Sequence, residues 1–158
     1  MAIVAFDPLS AAAGYLKRPI DSHGKLRYIY GKVVAATLGD IGSTINMGKL
    51  PPGAVRFLYP PAWILVSAWG AARTLSIGHS AYRSKQDQAA LNDGIEPASV
   101  NALASALDVS AAARIALSAT LLKYDFYSLA GVDIVATVAG GTFPAAGTIE
   151  WLIPYLYE

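Results

Sequence analysis

Two alternating apolar stretches near the end of the chain constrain its fold more than any other feature. From Val132 to Val138 the larger apolar residues Val132, Ile134 and Val138 fall on one side, with Asp133 and Thr137 opposite. From Ile149 to Tyr155 the alternation resumes through Ile149, Trp151, Ile153 and Tyr155. Between them lies Gly140-Gly141-Thr142-Phe143-Pro144-Ala145-Ala146-Gly147. Period-two alternation on both sides of a Gly/Pro-rich connection predicts an antiparallel pair of strands with one buried face. With the sequence ending at Glu158, the last strand is expected to be tied into the fold without a flexible tail.

Earlier segments repeat the β signal. Leu26, Tyr28 and Tyr30 alternate with Arg27 and Ile29, and Val33-Val34 follow Gly31. Ser43–Lys49 is the next strand, and Leu50-Pro51-Pro52-Gly53 suits a turn. Strands are expected at Ala54–Tyr59, Trp63–Trp69 and Arg73–Gly78, and again at Lys123–Leu129. Short strands about ten residues apart with turn signals between them predict a sandwich or barrel. One stretch departs from this rhythm. Glu96-Pro97 opens an expected helix with Val100, Leu103 and Leu107 on one face, so a helical insertion is placed at about residues 96–122. Residues 1–25, with Pro8, Gly14, Pro19, Gly24 and the run Ala11-Ala12-Ala13, hold no sustained period and read as an extended N-terminal arm. The β domain is placed at residues 26–158.

Composition bears on where such a fold would work. Of 158 residues, 54% are hydrophobic and only 15% charged, more apolar than an ordinary soluble domain. The longest uncharged runs, Phe57–Ala72 and Ile134–Ile149, are 16 residues each and broken by Pro or Gly. A spanning helix needs about 20. Met1–Phe6 is too short for the apolar core of a signal peptide. Burial against other subunits accounts better for so few charges, because interface cores are poor in charge and rich in Tyr and Trp. The chain has nine Tyr and three Trp; its abundant Ala and Gly also raise the hydrophobic fraction without making sticky patches. The halves differ in sign: residues 1–56 carry seven basic and three acidic side chains, residues 57–158 five and eight. Lys17, Arg18, Lys25, Arg27 and Lys32 are offset only by Asp21.

Catalytic chemistry finds little support. Gly78-His79-Ser80-Ala81-Tyr82 resembles the opening of a nucleophile elbow, but Tyr82 stands where its second glycine belongs and no His follows Ser80. Two His and 11 carboxylates show no ligand spacing, and Asp93, Glu96 and Asp108 read more simply as caps and solvated charges. Without Cys there is no disulfide or thiolate site. Gly140-Gly141-Thr142 lacks the lysine and the helix of a phosphate loop. Arg27, Tyr28 and Tyr30 superficially suit single-stranded nucleic acid, yet a near-neutral chain predicts weak binding at most. No cofactor, membrane or specific nucleic-acid partner is expected.

Gly39-Asp40-Ile41-Gly42-Ser43 through Met47-Gly48-Lys49-Leu50-Pro51-Pro52-Gly53-Ala54, followed by Thr74-Leu75-Ser76-Ile77-Gly78, resembles the strand, Leu-Pro-x-Gly turn, strand opening of tailed-bacteriophage capsid decoration (cement) proteins and related virion structural proteins. Val132–Val138 with Pro144–Ile149 is similar to their closing hairpin. The resemblance covers roughly residues 26–158 on motifs of modest specificity. It implies an all-β, jelly-roll-like sandwich without catalytic residues, trimeric, on the outer surface of an icosahedral head and made in the host cytoplasm, where it braces capsomers against the major capsid protein. Lys17, Arg18, Lys25 and Arg27 are then the candidate capsid contacts. A glycan- or receptor-binding module using Trp63, Trp69 and Trp151 is the competing reading, and a hydrolase using Ser80 a remote third.

Overall fold

The computed structural model describes residues 3–4, 25–35, 39–40, 42–58, 62–84, 94–117 and 125–157. Thirteen strands run in order: β1 (Ile3–Val4), β2 (Lys25–Val34), β3 (Thr44–Leu50), β4 (Gly53–Phe57), β5 (Trp63–Val66), β6 (Thr74–His79), β7 (Tyr82–Arg83), β8 (Ile95–Glu96), β9 (Ser99–Asp108), β10 (Ala113–Ala116), β11 (Asp125–Ser128), β12 (Val132–Ala139) and β13 (Thr148–Tyr157). They form a sandwich, with β7–β8 as a separate ribbon. One sheet has the order β1-β3-β12-β6-β9. In the other, β13 is central: β2 pairs along one side, while β5 and β4 share the other side and carry β10 and β11 outside them.

Alternation places the core. Ile45, Met47, Leu75, Ile77, Ile134, Ala136 and Val138 from the first sheet meet Ile29, Val55, Phe57, Ile64, Ile149, Trp151 and Ile153 from the second, all buried. Sheets packed face to face stand about 10 Å apart, so one layer of interdigitating side chains fills the gap. Trp151 spans it: its indole N–H donates to the carbonyl of Met47 on the opposite sheet at 2.8 Å. Gly31 makes room for that indole, since a Cβ there would lie 2.3 Å from Trp151 Cζ2.

Two expectations are corrected. The strands at Val132–Val138 and Ile149–Tyr155 exist, but they do not pair with each other. β12 lies between β3 and β6, and β13 lies between β2 and the β5/β4 pair in the other sheet. The Gly140–Gly147 connection is therefore an arch between sheets and not a closing hairpin. It tucks Phe143 into the core against Trp69, ring centroids 4.6 Å apart, and Gly140 takes φ +74° where its missing Cβ lets the Ala72 carbonyl approach. Alternation shows that a strand buries one face. A hairpin and an arch bury the same face, so the pattern alone does not choose between them.

The helical insertion is also absent. Described residues 94–117 hold β8, β9 and β10 and no helix; residues 118–122 lie outside the described residues. The helix-like spacing comes from irregular pairing. Between Leu75↔Leu107 and Ile77↔Ala104, two steps on β6 answer three on β9, and between Ile77↔Ala104 and His79↔Ser99 two answer five. Ala106 sits at φ +48° within this stretch, and its N–H is taken by Ser76 Oγ at 3.1 Å. Such extra residues break the period of two. As a result Ala102, Leu103 and Ala104 are all buried, while Val100 is exposed.

Of the expected arm, Ile3–Val4 pairs in parallel with Thr44–Ile45 and Lys25 opens β2; residues 5–24, including Lys17 and Arg18, lie outside the described residues. No helix of the described residues is long and apolar enough to cross a membrane.

Candidate interaction surface

The outward face of the β13 sheet carries the chain's unusual surface. β2 alternates so that Ile29, Gly31 and Val33 point inward and Leu26, Tyr28, Tyr30, Lys32 and Val34 point outward. The Trp151 ring lies so close beneath position 31 that only glycine is admitted there, which fixes the face of β2 that turns inward. The outer residues Leu26, Tyr28, Tyr30 and Val34 are 61%, 60%, 50% and 57% exposed. Their cross-strand neighbours on β13 extend the stripe: Tyr30 faces Leu152 and Leu26 faces Leu156. Across β13, Leu152 faces Trp63, and Leu65 is exposed beside it.

Charges frame this apolar strip. Lys32 stands opposite Glu150, and the Tyr30 hydroxyl donates to Glu150 Oε1 at 2.9 Å. That hydrogen bond, helped by slight burial and the carboxylate's charge, raises the Tyr30 phenol above its ordinary pKa. The Arg114 guanidinium lies 4.6 Å from the Trp63 ring centroid. Arg56 Nε donates to Asp125 Oδ1 at 2.8 Å with both side chains more than half exposed, a geometry worth at most about 1 kcal/mol. Beside this pair a shallow depression of about 320 Å³ is lined by Ala54, Val55, Arg56, Asp125, Phe126 and Tyr127. It holds one neutralised ion pair and no acid–base couple. An apolar centre framed by compensated charges is the anatomy of a protein-binding surface.

The residues singled out from sequence scatter across the molecule. Arg27 is half-buried at the sandwich edge with its guanidinium 5.0 Å from the Tyr157 ring centroid. Trp69 and Trp151 are core residues, so only Trp63 of the three tryptophans shows a partly exposed ring. His79 is buried, donating from Nδ1 to the Ser80 carbonyl in the tautomer this geometry favours, with Tyr82 and Phe126 edge-on to its ring. Ser80, half-buried beyond the end of β6, gives its backbone N–H to Asp133. Glu96 and Asp108 sit at opposite ends of the β8–β9 stretch, and Asp93 lies outside the described residues. The Asp108 carboxylate accepts the Ser110 N–H, which lowers its pKa. Among the described residues no three His, Asp or Glu side chains gather to hold a metal. The outer stripe of β2 was overlooked in the sequence because Leu26, Tyr28 and Tyr30 look like a core face; the glycine between Tyr30 and Lys32 is the signal that they are not.

No protein-family model matches the sequence, and a search of the curated proteins finds no match. The fold, however, is similar to that of a chain in the capsid of Ralstonia phage GP4, with a TM-score of 0.69 and 21% identity over 99% of both chains. It is also similar to a chain of the cyanophage Pam1 capsid asymmetric unit, with a TM-score of 0.59 and 18% identity over 93% of this chain and 96% of that one.

Proposed function

We propose that this protein is a non-enzymatic virion structural protein of a tailed phage, acting as a decoration (cement) protein that self-associates as a trimer and bridges capsomers on the outside of the head. The observation that carries the reading is the fold likeness to two phage capsid chains, end to end and without a large unmatched part on either side. The surface supports it independently, because the exposed apolar strip of the β13 sheet suits assembly.

In this reading the major capsid protein is the partner, and Lys17, Arg18, Lys25 and Arg27 are its proposed contacts. The Arg27 guanidinium lies 5.0 Å from the Tyr157 ring centroid, so part of its charge is already engaged on the protein's own surface. Such contacts weaken with salt. The test is binding of purified protein to cognate heads made without it, read by co-sedimentation and by the heads' resistance to heat. Saturable binding that raises the disruption temperature, and that falls at least tenfold in Lys17→Glu/Arg18→Glu, is the expected result. Absence of the protein from purified virions, or saturable binding only inside the head, refutes the decoration role.

A further inference from the structure

We propose that β2 pairs edge to edge with β2 of a second copy of this chain, antiparallel about a two-fold axis at Tyr30, to make one continuous sheet across two protomers. Among the described residues β2 has a single strand partner, β13, matched to it over ten residues from Lys25↔Tyr157 to Val34↔Thr148. Every second N–H and C=O of β2 thus points away from the sheet, the template that another strand completes.

The sequence of β2 fits a copy of itself. A two-fold joining two such edges keeps outer face with outer face, so it pairs residues whose numbers sum to an even value. The outer side chains Leu26, Tyr28, Tyr30, Lys32 and Val34 are centred on Tyr30. With the axis there, Leu26 meets Val34 of the second copy, Tyr28 meets its Lys32, and Tyr30 meets its own equivalent. On the inner side Arg27 falls opposite Val33. Lysines and arginines on an edge normally guard it against pairing, yet here no cation faces a cation, and the Lys32 stem can lie along the Tyr28 ring. The Tyr30 hydroxyl is already drawn toward Glu150 on β13, which leans the ring over that neighbouring strand and away from the unpaired edge. Leu26, Tyr28, Tyr30 and Val34 expose on the order of 500 Å², near the upper end for a monomer's largest apolar patch. Edge pairing covers the flanks of these side chains, and a stable interface needs about 800 Å² per partner, so the paired backbones and rims supply the remainder.

This contact goes beyond the capsid reading and is tested in purified protein, so its failure and a failure of capsid binding are separable. The chain has no cysteine, which makes single-thiol variants clean reporters. Opposed Cβ atoms across the axis are about 4.5–5.5 Å apart, close to disulfide geometry. Tyr30→Cys is expected to cross-link to itself under mild oxidation at least tenfold faster than Tyr28→Cys or Lys32→Cys alone, whose thiols lie about 13 Å from their own equivalents along the strands. An equimolar mixture of those two is expected to give the mixed disulfide. In parallel, Tyr30→Lys places two ammonium groups at the axis. The mass by light scattering at tens of micromolar should then fall towards half that of wild type, with the far-ultraviolet spectrum unchanged. Equal cross-linking at all three positions, no cross-linking at position 30, or a mass that Tyr30→Lys leaves unaltered overturns the proposal.

Discussion

Substitution of Gly31 by alanine tests whether the sandwich is organised around Trp151. The new Cβ would lie 2.3, 2.7 and 3.0 Å from Cζ2, Cε2 and Cη2 of the indole, whereas carbon atoms in contact sit about 3.5–4.0 Å apart. One side must move by more than 1 Å. The indole cannot move freely, because it is fully buried and its N–H is bound to the Met47 carbonyl across the core. Overpacking of this kind costs about 1–3 kcal/mol, and a stretched or broken buried hydrogen bond adds about 1 kcal/mol. Alanine should otherwise favour a strand over glycine by about 0.5–1 kcal/mol, so the two effects oppose each other and packing wins. The expected net loss is about 2–3 kcal/mol, read as a lower urea midpoint with an unchanged slope. Trp151→Phe removes the clashing atoms, so the double variant should lose less than the sum of the two singles, a coupling of about 1 kcal/mol or more. A neutral or stabilised Gly31→Ala, or strictly additive variants, would refute this account of the core.

Gly78→Ala is expected to be harsher, because its Cβ would lie 1.8 Å from the Ser99 backbone oxygen; the β6–β9 ladder must open, at about 3 kcal/mol or more by urea denaturation. Ser80→Ala should leave folding within about 0.5 kcal/mol and any capsid binding intact; a specific ester hydrolysis lost on this change would contradict the non-enzymatic reading. For Tyr30, the raised phenol pKa means that its contribution is present below the unfolded value of about 10 and is lost as pH rises through the higher folded value. Ultraviolet titration of wild type against Tyr30→Phe should show this phenol ionising above about pH 10, and Glu150→Gln should bring it down; ionisation at or below the ordinary value in wild type would contradict the hydrogen bond.

The strands themselves were largely legible. Alternation at Leu26–Tyr30, Val132–Val138 and Ile149–Tyr155 matches observed strands, because a half-buried strand must place apolar side chains two apart, and the strands expected at Ser43–Lys49 and Arg73–Gly78 overlap β3 and β6. The Pro/Gly signals at Pro51–Gly53 and Gly140–Gly147 marked real breaks, with Gly53 and Gly140 both at positive φ. The β9 segment was misread because extra residues in its pairing with β6 replaced a period of two by intervals that imitate a helix. The exposed stripe of β2 was hidden for a different reason: Leu26, Tyr28 and Tyr30 alternate as a core face would, and only Gly31 on the other face marks which side is buried.

What the sequence determined alone is therefore the inventory of extended segments and the places where the chain must turn. Both follow from interactions within a few residues, namely side-chain period, proline's fixed φ and glycine's freedom. Only the tertiary structure decided partnership and polarity. β12 and β13 each bury one face as expected, but they line opposite walls of the same core, because the arch carrying Phe143 crosses the gap instead of folding back. The large outer residues of β2 face solvent because Trp151 claims the space beneath Gly31. Each of these outcomes depends on a residue far along the chain, Trp69 for Phe143 and Trp151 for Gly31, and no local period encodes such a contact.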